Sequence, residues 1–333
     1  MNPWRRTEAL PLATQATLPE WLKIRPPSGE RYRTLRALVD GLRLTTVCEE
    51  ARCPNLSECW SGGTATFMLL GELCTRGCSF CSVKTARRGD PVDVEEPEKV
   101  LEAVRKMGLR YIVLTSVDRD DLPDQGAGHF ARTVVHVKAQ VPGLLVETLI
   151  PDFRADEAAL RTVAASGADV LAHNVETVRR LTPSVRDPRA TYDQSLQVLR
   201  RLKELRPEAL TKSSIMVGHG ESEAELVETF RDLRAVGVEL LTLGQYLRPT
   251  EKHRPVAEYV HPDRFAALGA LAERHGFLHV ASGPFVRSSY KAGELFAESH
   301  LRTRAAAAAG GSTGRAGVAP PFRSTLPLAP GAS

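Results

Sequence analysis

The sequence predicts an α/β fold built around a parallel sheet, because strand-like apolar runs alternate with amphipathic helical patterns along a chain of 333 residues. The strand-like runs are residues 65–70, 111–115, 144–150, 170–175, 214–217 and 240–246. The helical patterns between them are residues 98–107, 129–140, 155–166, 191–205 and 221–236. Right-handed crossovers then favour a partial barrel of six βα units, fewer than the eight of a full barrel, or an open flavodoxin-like sheet. Periodicity alone does not separate these two.

Both ends of the chain differ from this central region. Residues 1–40 are rich in proline and predict an extended arm with one short helix. An alanine run followed by Gly, Pro and Ser predicts a disordered tail. The expected organisation is an N-terminal extension, a barrel, a short C-terminal segment and the tail, over residues 1–62, 63–285, 286–302 and 303–333.

Composition narrows the choice of partners. The chain has 44 basic and 40 acidic residues and a net charge of +4, which is too balanced to indicate nucleic-acid binding. No apolar run approaches the roughly 20 residues needed to cross a bilayer. The first 15 residues have charge at Arg5 and Arg6 but no apolar stretch after it, so no secretory signal is expected. We therefore expect a cytoplasmic protein with neither a membrane nor a nucleic-acid partner.

All 6 cysteines lie between residues 48 and 81. A disulfide framework spreads its cysteines through a small secreted domain, whereas clustered cysteines in a large cytoplasmic chain indicate metal.

Cys74, Cys78 and Cys81 form a C-x-x-x-C-x-x-C triplet directly after the first predicted strand. The same spacing would place them on one face of a buried helix, but Gly71 and Gly77 favour a loop. Structural zinc and simple [4Fe–4S] sites take four protein ligands, so three thiolates leave one iron open to the amino and carboxylate groups of a small molecule. S-adenosylmethionine has both groups. This spacing, with Phe80 beside the last cysteine, is the hallmark of the radical S-adenosylmethionine superfamily.

Cys48, Cys53 and Cys59 form a second triplet with a less specific spacing. It allows zinc with a distant fourth ligand, or the remaining ligands of one large cluster. No further cysteine exists to complete either triplet, so the count itself predicts a ligand that is not cysteine.

From about residue 41 to residue 298 the sequence resembles the lipoyl synthase family. The resemblance rests on both cysteine triplets and on several short motifs: Thr46–Asn55, Gly63–Met68, Thr115–Leu122, His173–Thr177, Gln245–Pro249 and Arg287–Tyr290.

This resemblance implies a six-unit partial barrel and two [4Fe–4S] clusters. The Cys74 triplet would hold the cluster that cleaves S-adenosylmethionine. The Cys48 triplet would hold an auxiliary cluster whose fourth ligand is a serine of the Arg-Ser-Ser-Tyr motif, by position Ser289. The residues alone do not choose Ser289 over Ser288 or a histidine.

The activity that the resemblance implies is radical insertion of two sulfur atoms at carbons 6 and 8 of a protein-bound octanoyl-lysine, with the auxiliary cluster as the sulfur source. The implied partners are octanoylated carriers, namely the H protein of glycine cleavage and the acyltransferase subunits of 2-oxoacid dehydrogenases. An electron donor such as ferredoxin or flavodoxin and an iron–sulfur carrier protein are also implied.

Further polar residues follow predicted strands. Four candidates to contact S-adenosylmethionine are Phe80, Thr115, Asn174 and Glu176. Asn174 and Glu176 would equally suit a polar pair in the core. Asp118, Asp120 and Asp121 lie either near the cosubstrate or in a solvated loop that caps a helix. His219, in a glycine-rich turn, is expected at the surface, and Arg248 and Arg287 are candidates to bind a carboxylate or a carrier domain, or to form structural ion pairs.

Two other functional classes remain at this point. Another sulfur-inserting radical enzyme, resembling biotin synthase, should lack the pairing of the Cys48 triplet with Arg-Ser-Ser-Tyr. A non-enzymatic iron–sulfur carrier or a zinc-stabilised binding protein predicts closed sites with four ligands.

Overall fold

The computed structural model describes residues 18–23, 30–47, 65–289 and 296–303. Cys48, Cys53 and Cys59 lie outside the described residues, as does the expected tail beyond residue 303.

Eight strands form the main sheet. They are β1 (Thr45–Thr46), β2 (Thr66–Leu69), β5 (Tyr111–Ser116), β6 (Leu145–Leu149), β7 (Val170–Ala172), β8 (Leu210–Val217), β9 (Leu240–Gln245) and β10 (His279–Gly283). They lie side by side in the order of the chain. β1 pairs antiparallel to β2, and every later pair is parallel. A separate two-stranded sheet joins β3 (Leu73–Cys74) to β4 (Lys84–Thr85).

One helix precedes β1, and seven others lie in the connections between the described parallel strands. They are α1 (Glu30–Leu42), α2 (Glu96–Met107), α3 (Ala127–Gln140), α4 (Glu157–Ala164), α5 (Thr182–Val185), α6 (Tyr192–Leu205), α7 (Glu223–Ala235) and α8 (Pro262–Arg274). The short turns Glu20–Leu22 and Phe153–Ala155 are 3-10 helices, and residues 296–303 are helical. Several helices begin at capping residues close by in the sequence. For example, Ser222 precedes α7 as its N-cap, and its side-chain oxygen accepts a hydrogen bond from the Glu225 amide in a capping box.

The predicted partial barrel of six βα units is confirmed, and all six predicted strands are present. The structure adds a seventh parallel strand, β10, and its preceding helix α8, which the sequence patterns did not indicate. The arm contains a helix of 13 residues, longer than the short one expected. Within the described part of the chain, no helix is both long and apolar enough to span a bilayer.

The end of the barrel that holds the amino ends of the strands is filled by apolar side chains. Tyr111, Leu210 and Leu240 begin their strands and pack in one cluster with Ala297 and the neighbouring Phe296 of the final helix. Because side chains alternate along a strand, the same interior rows continue, toward the carboxyl ends of β7, β8 and β9, to small residues: Ala172, Ser214 and Gly244. In these three strands, small interior residues therefore follow the larger ones that lie at the amino end.

Between these two levels lies a buried ion pair. Lys212 of β8 donates to both carboxylate oxygens of Glu147 of β6, at 2.7 and 2.9 Å, and the Tyr111 hydroxyl donates to the same carboxylate at 2.7 Å. The Lys212 and Glu147 side chains are 2% and 1% exposed, so neither charge has water as a partner.

We predict that Lys212→Met lowers the free energy of unfolding by about 3–5 kcal/mol, because it leaves the Glu147 carboxylate buried and uncompensated. The triple variant Lys212→Met, Glu147→Leu, Tyr111→Phe removes every member of the group and should recover most of that loss. Urea unfolding followed by circular dichroism measures both. An equal loss in the single and triple variants would contradict this account.

Candidate active site

Cys74, Cys78 and Cys81 lie on one loop at the carboxyl end of β2. Cys74 ends β3, and Cys78 and Cys81 follow in irregular chain rather than on a helix. The loop is held by its own backbone, since the Ala86 amide donates to the Cys74 carbonyl at 2.9 Å and the Cys81 amide to the Cys78 carbonyl at 3.1 Å. The loop predicted from Gly71 and Gly77 is therefore present.

The thiols are half-buried and face backbone donors. The Arg76 amide donates to the Cys74 sulfur at 3.4 Å and the Asp187 amide to the Cys78 sulfur at 3.3 Å. Burial raises the pKa of Cys74 and Cys78 to about 12 and that of Cys81 to about 11. The cluster-free thiols are therefore protonated at neutral pH, and iron binding must displace their protons.

The donor set fits a cluster better than a single ion. Among the described residues, no three His, Cys, Asp or Glu side chains converge to hold one metal ion. In a [4Fe–4S] cluster each thiolate binds a different iron, so the three ligands stand further apart than ligands around one zinc ion. Three thiolates on this loop therefore suit a [4Fe–4S] cluster in which one iron has no protein ligand.

Arg76, between the first two cysteines, anchors the loop to two strand ends. Its side chain is only 2% exposed. The guanidinium donates to both carboxylate oxygens of Asp120 at 2.9 and 3.0 Å and to Asp152 at 2.6 Å, and it lies 3.3 Å from Asp118. Asp118 and Asp120 follow β5 and Asp152 follows β6. One cation thus fixes the cysteine loop to both strands.

The three carboxylates after β5 have different environments. Asp118 faces the thiols, because the Cys74 sulfur lies 3.7 Å from its carboxylate, and burial raises the pKa of Asp118 to about 6. Burial alone would raise the pKa of Asp120, but hydrogen bonds from Arg76 and Arg154 lower it to about 2. Asp121 accepts two hydrogen bonds from Arg119, each 2.9 Å long.

At the end of β7, Asn174 donates to the Glu176 carboxylate at 3.1 Å, as expected of a polar pair. The Glu176 backbone has φ of 67°, which is strained for a residue other than glycine. Two backbone hydrogen bonds hold it there: the Glu176 amide donates to the Ser214 carbonyl at 3.1 Å, and the Glu176 carbonyl accepts from the Met216 amide at 2.8 Å. Burial raises the pKa of Glu176. Strain held by two hydrogen bonds at the mouth of a barrel is typical of a functional residue.

Asp187 and Arg189, which precede α6, complete the support of the cysteine loop and were not indicated by the sequence. Asp187 accepts from the Gly77 amide at 2.9 Å. Arg189 donates to Asp187 at 2.8 Å, to Asp120 at 3.0 Å and to the Thr75 carbonyl at 2.8 Å. In the sequence these residues are visible only as an Asp-Pro-Arg turn. Their role could not be predicted, because the residues that they bind on the cysteine loop and after β5 are more than 60 residues away.

The loop after β9 holds the other side of the triplet. The Arg254 amide donates to the Ser79 carbonyl at 3.0 Å, and a ring nitrogen of His253 lies 2.9 Å from the Cys81 carbonyl oxygen. Tyr246 fixes this loop, since its hydroxyl donates to the Arg254 carbonyl at 2.7 Å.

His219 was expected at the surface, and that expectation is wrong. It is 1% exposed, and its ring stacks on Tyr246 at a centroid distance of 4.2 Å. The preceding residue, Gly218, allows the chain to pack closely at this turn. Its φ is 100°, and a Cβ there would lie 2.3 Å from the side-chain nitrogen of Gln245.

The remaining predicted residues lie as follows. Phe80 packs against an apolar cluster that contains Ile215. The Thr115 hydroxyl donates to the Leu149 carbonyl at 2.7 Å. Arg248 donates to the carbonyls of its own loop. Ser289 is half-buried and follows the carboxyl end of β10.

Comparison with known proteins agrees with this site. The chain matches the Radical SAM superfamily over residues 68–233 and the N-terminal domain of lipoyl synthase over residues 5–53. A lipoyl synthase of Anaeromyxobacter dehalogenans (strain 2CP-C) is 59% identical over 289 residues, which is 87% of this chain and 98% of the relative. A lipoyl synthase of Thermus thermophilus is 55% identical over 295 residues, covering 89% of this chain and 91% of the relative.

Among solved structures, the FeFe-hydrogenase maturase HydG from Carboxydothermus hydrogenoformans superposes with a TM-score of 0.55 at 12% identity, over 74% of this chain and 64% of that one. At this identity the likeness shows the fold alone.

A three-cysteine loop on a partial parallel barrel, together with the superfamily match, defines the chain as a radical S-adenosylmethionine enzyme. Membership of that superfamily implies S-adenosylmethionine and one [4Fe–4S] cluster. At 59% identity over nearly the whole length of a relative, the chain belongs to the lipoyl synthase family.

We predict that Arg76→Gln lowers the free energy of unfolding by about 3–5 kcal/mol, because it leaves the fully buried Asp152 carboxylate without the cation that binds it. Arg154→Gln is the matched control: Arg154 binds the same Asp120, but its side chain is 53% exposed. Its loss should be about 0–1 kcal/mol. Denaturant unfolding of the two variants measures the difference, and equal losses would disprove the anchoring role of Arg76.

Proposed function

We propose that this enzyme inserts two sulfur atoms, at carbons 6 and 8, into an octanoyl group carried on a lysine of an acceptor protein, and cleaves S-adenosylmethionine to methionine and 5′-deoxyadenosine. The observation that carries the proposal is the loop of Cys74, Cys78 and Cys81. It presents three thiols at the mouth of the barrel, and a [4Fe–4S] cluster bound by them would keep one iron free of protein ligands. Family membership supplies the substrate class.

The chemistry requires such a site, because the C–H bonds of an octanoyl chain are not activated and no side-chain acid or base removes their hydrogens at neutral pH. A cluster held by Cys74, Cys78 and Cys81 would supply an electron to S-adenosylmethionine, and the carbon radical formed by its cleavage would be reactive enough for that step. The chain's own residues position the reactants. Arg76 fixes the loop, and the Asp187 amide donates to a cluster-binding sulfur.

Glu176 and Asn174, on the strained turn after β7, suit contacts to the hydroxyl and amino groups of the cosubstrate. We propose Phe80 and Thr115 as further contacts to S-adenosylmethionine.

We propose that a second [4Fe–4S] cluster, bound by Cys48, Cys53, Cys59 and Ser289, is the source of the inserted sulfur. An alkoxide oxygen is a harder ligand for iron than a thiolate, and this should ease release of its iron when the cluster is consumed.

The expected acceptors are the octanoylated H protein of glycine cleavage and the acyltransferase subunits of 2-oxoacid dehydrogenases. A ferredoxin or flavodoxin would supply electrons, and an iron–sulfur carrier protein would rebuild the auxiliary cluster. These partners follow from the proposed chemistry, and we propose a cytoplasmic location as well.

The test is a mass spectrum of an octanoyl-lysine peptide after anaerobic incubation with reconstituted enzyme, S-adenosylmethionine and reductant. We expect the peptide to gain two sulfur atoms and 5′-deoxyadenosine to be released. Cys78→Ala should abolish both products. Ser289→Cys should keep 5′-deoxyadenosine release and lose sulfur insertion.

The outcomes separate the candidates. Release of 5′-deoxyadenosine without sulfur gain by the wild type would move the substrate elsewhere. Unimpaired sulfur insertion by Ser289→Cys would remove the proposed role of the serine oxygen.

A further inference from the structure

The last interior position of β9 is a glycine, Gly244, that the backbone conformation does not require. Its φ is not in the left-handed region, in contrast to Gly218. A glycine inside a strand weakens the sheet and has no side chain to pack, so its presence often marks the close approach of another backbone. The neighbourhood of Gly244 shows which backbone this is.

A Cβ at position 244 would lie 2.1 Å from the carbonyl oxygen of Val286 and 3.0 Å from its carbonyl carbon. Both atoms belong to main chain, which cannot rotate away as the end of a side chain can. Gly244 also pairs in register with Gly283, the last residue of β10. The chain that leaves β10 therefore turns back across two adjacent glycines.

The turn itself is fixed by three hydrogen bonds. The Val286 amide donates to the Gly283 carbonyl at 3.1 Å. The Arg287 guanidinium donates to the carbonyls of Pro284 and Val286 at 3.3 and 2.7 Å. Ser289 follows three residues after Val286, so the position of the Val286 carbonyl sets where the serine segment begins.

The chain is fixed again at the opposite end of the barrel. Phe296 stacks on His279, the first residue of β10, with ring centroids 4.5 Å apart, and Ala297 is fully buried. The two ends of a five-residue strand are about 13 Å apart. The described chain is thus held at both ends of β10, by the turn after Gly283 and by Phe296.

We propose that Gly244 is a positioning residue for the serine ligand of the auxiliary cluster, because it admits the Val286 carbonyl to the barrel interior and so fixes the approach of Ser289. This inference rests on the proposed function. Gly244→Ala would have to push the Val286 carbonyl outward by about an ångström to relieve the contact, and a displacement of that size at a reacting centre can reduce a rate about 100-fold.

The test compares wild type, Gly244→Ala and Ser289→Ala, each reconstituted anaerobically. We expect Gly244→Ala to reproduce the Mössbauer spectrum of Ser289→Ala, in which one iron of the auxiliary cluster has lost its serine oxygen. Sulfur insertion should fall about 100-fold, while 5′-deoxyadenosine release with S-adenosylmethionine and reductant is unchanged. Hydrogen exchange of the amides of residues 285–289 in the cluster-free chain should become faster.

Gly269→Ala is the matched control. Gly269 lies in α8 on the outer side of β10, where a Cβ would lie 3.0 Å from the Cβ of Ser282. Like Gly244→Ala, Gly269→Ala adds one methyl group beside β10, but it does not touch the turn. This variant should keep the wild-type spectrum and both products. If Gly244→Ala does not fold, Arg287→Gln loosens the same turn without adding an atom and should show the same selective loss.

Two results would overturn the proposal: a wild-type spectrum with undiminished sulfur insertion in Gly244→Ala, or a parallel fall of both products, which would mean that Gly244 acts on the whole barrel. A wild type that forms the serine-ligated cluster but inserts no sulfur would overturn the proposed function. The spectral difference between wild type and Gly244→Ala would still decide the role of Gly244.

Discussion

The site depends on the burial of one guanidinium. Arg76 lies between two cysteines of the triplet and bonds to carboxylates that follow two different strands, Asp120 after β5 and Asp152 after β6. Asp152 is fully buried and is bound by Arg76, so without this cation its charge would be uncompensated. The loop therefore cannot leave the barrel without exposing uncompensated charge, and its three thiols stay at the carboxyl edge of the sheet even before a cluster binds.

The two ends of the barrel differ in what fills them. At the amino ends of the strands, Leu210 and Leu240 pack against Ala297 of the final helix, so this end is closed by side chains. Toward the carboxyl ends, the interior rows of three strands reach the small residues Ala172, Ser214 and Gly244. Parallel strands place their loops at that end, and the cysteine loop lies there.

The sequence predicted the six βα units because each parallel strand, covered on both faces, is a continuous apolar run between helical patterns. It did not predict β10, whose His279, Ser282 and Gly283 break the apolar run that marks the other strands. The cysteine loop was also predictable, since a cluster requires its ligands at fixed local spacings. The position of His219 was not, because its burial depends on stacking against Tyr246, a residue at the end of another strand.

Contacts between distant parts of the chain account for what the sequence could not reveal. The partners of the cysteine loop lie 44, 76 and 110 residues away, and any of several acidic residues after strand ends would have satisfied the same pattern. Gly244 is the exception that is visible locally. A glycine near the end of an apolar run is evident in the sequence alone, but only the fold identifies the Val286 carbonyl as its cause. The strand that the patterns missed, β10, is the one that delivers this carbonyl, so the point at which the segment carrying Ser289 begins depends on β10.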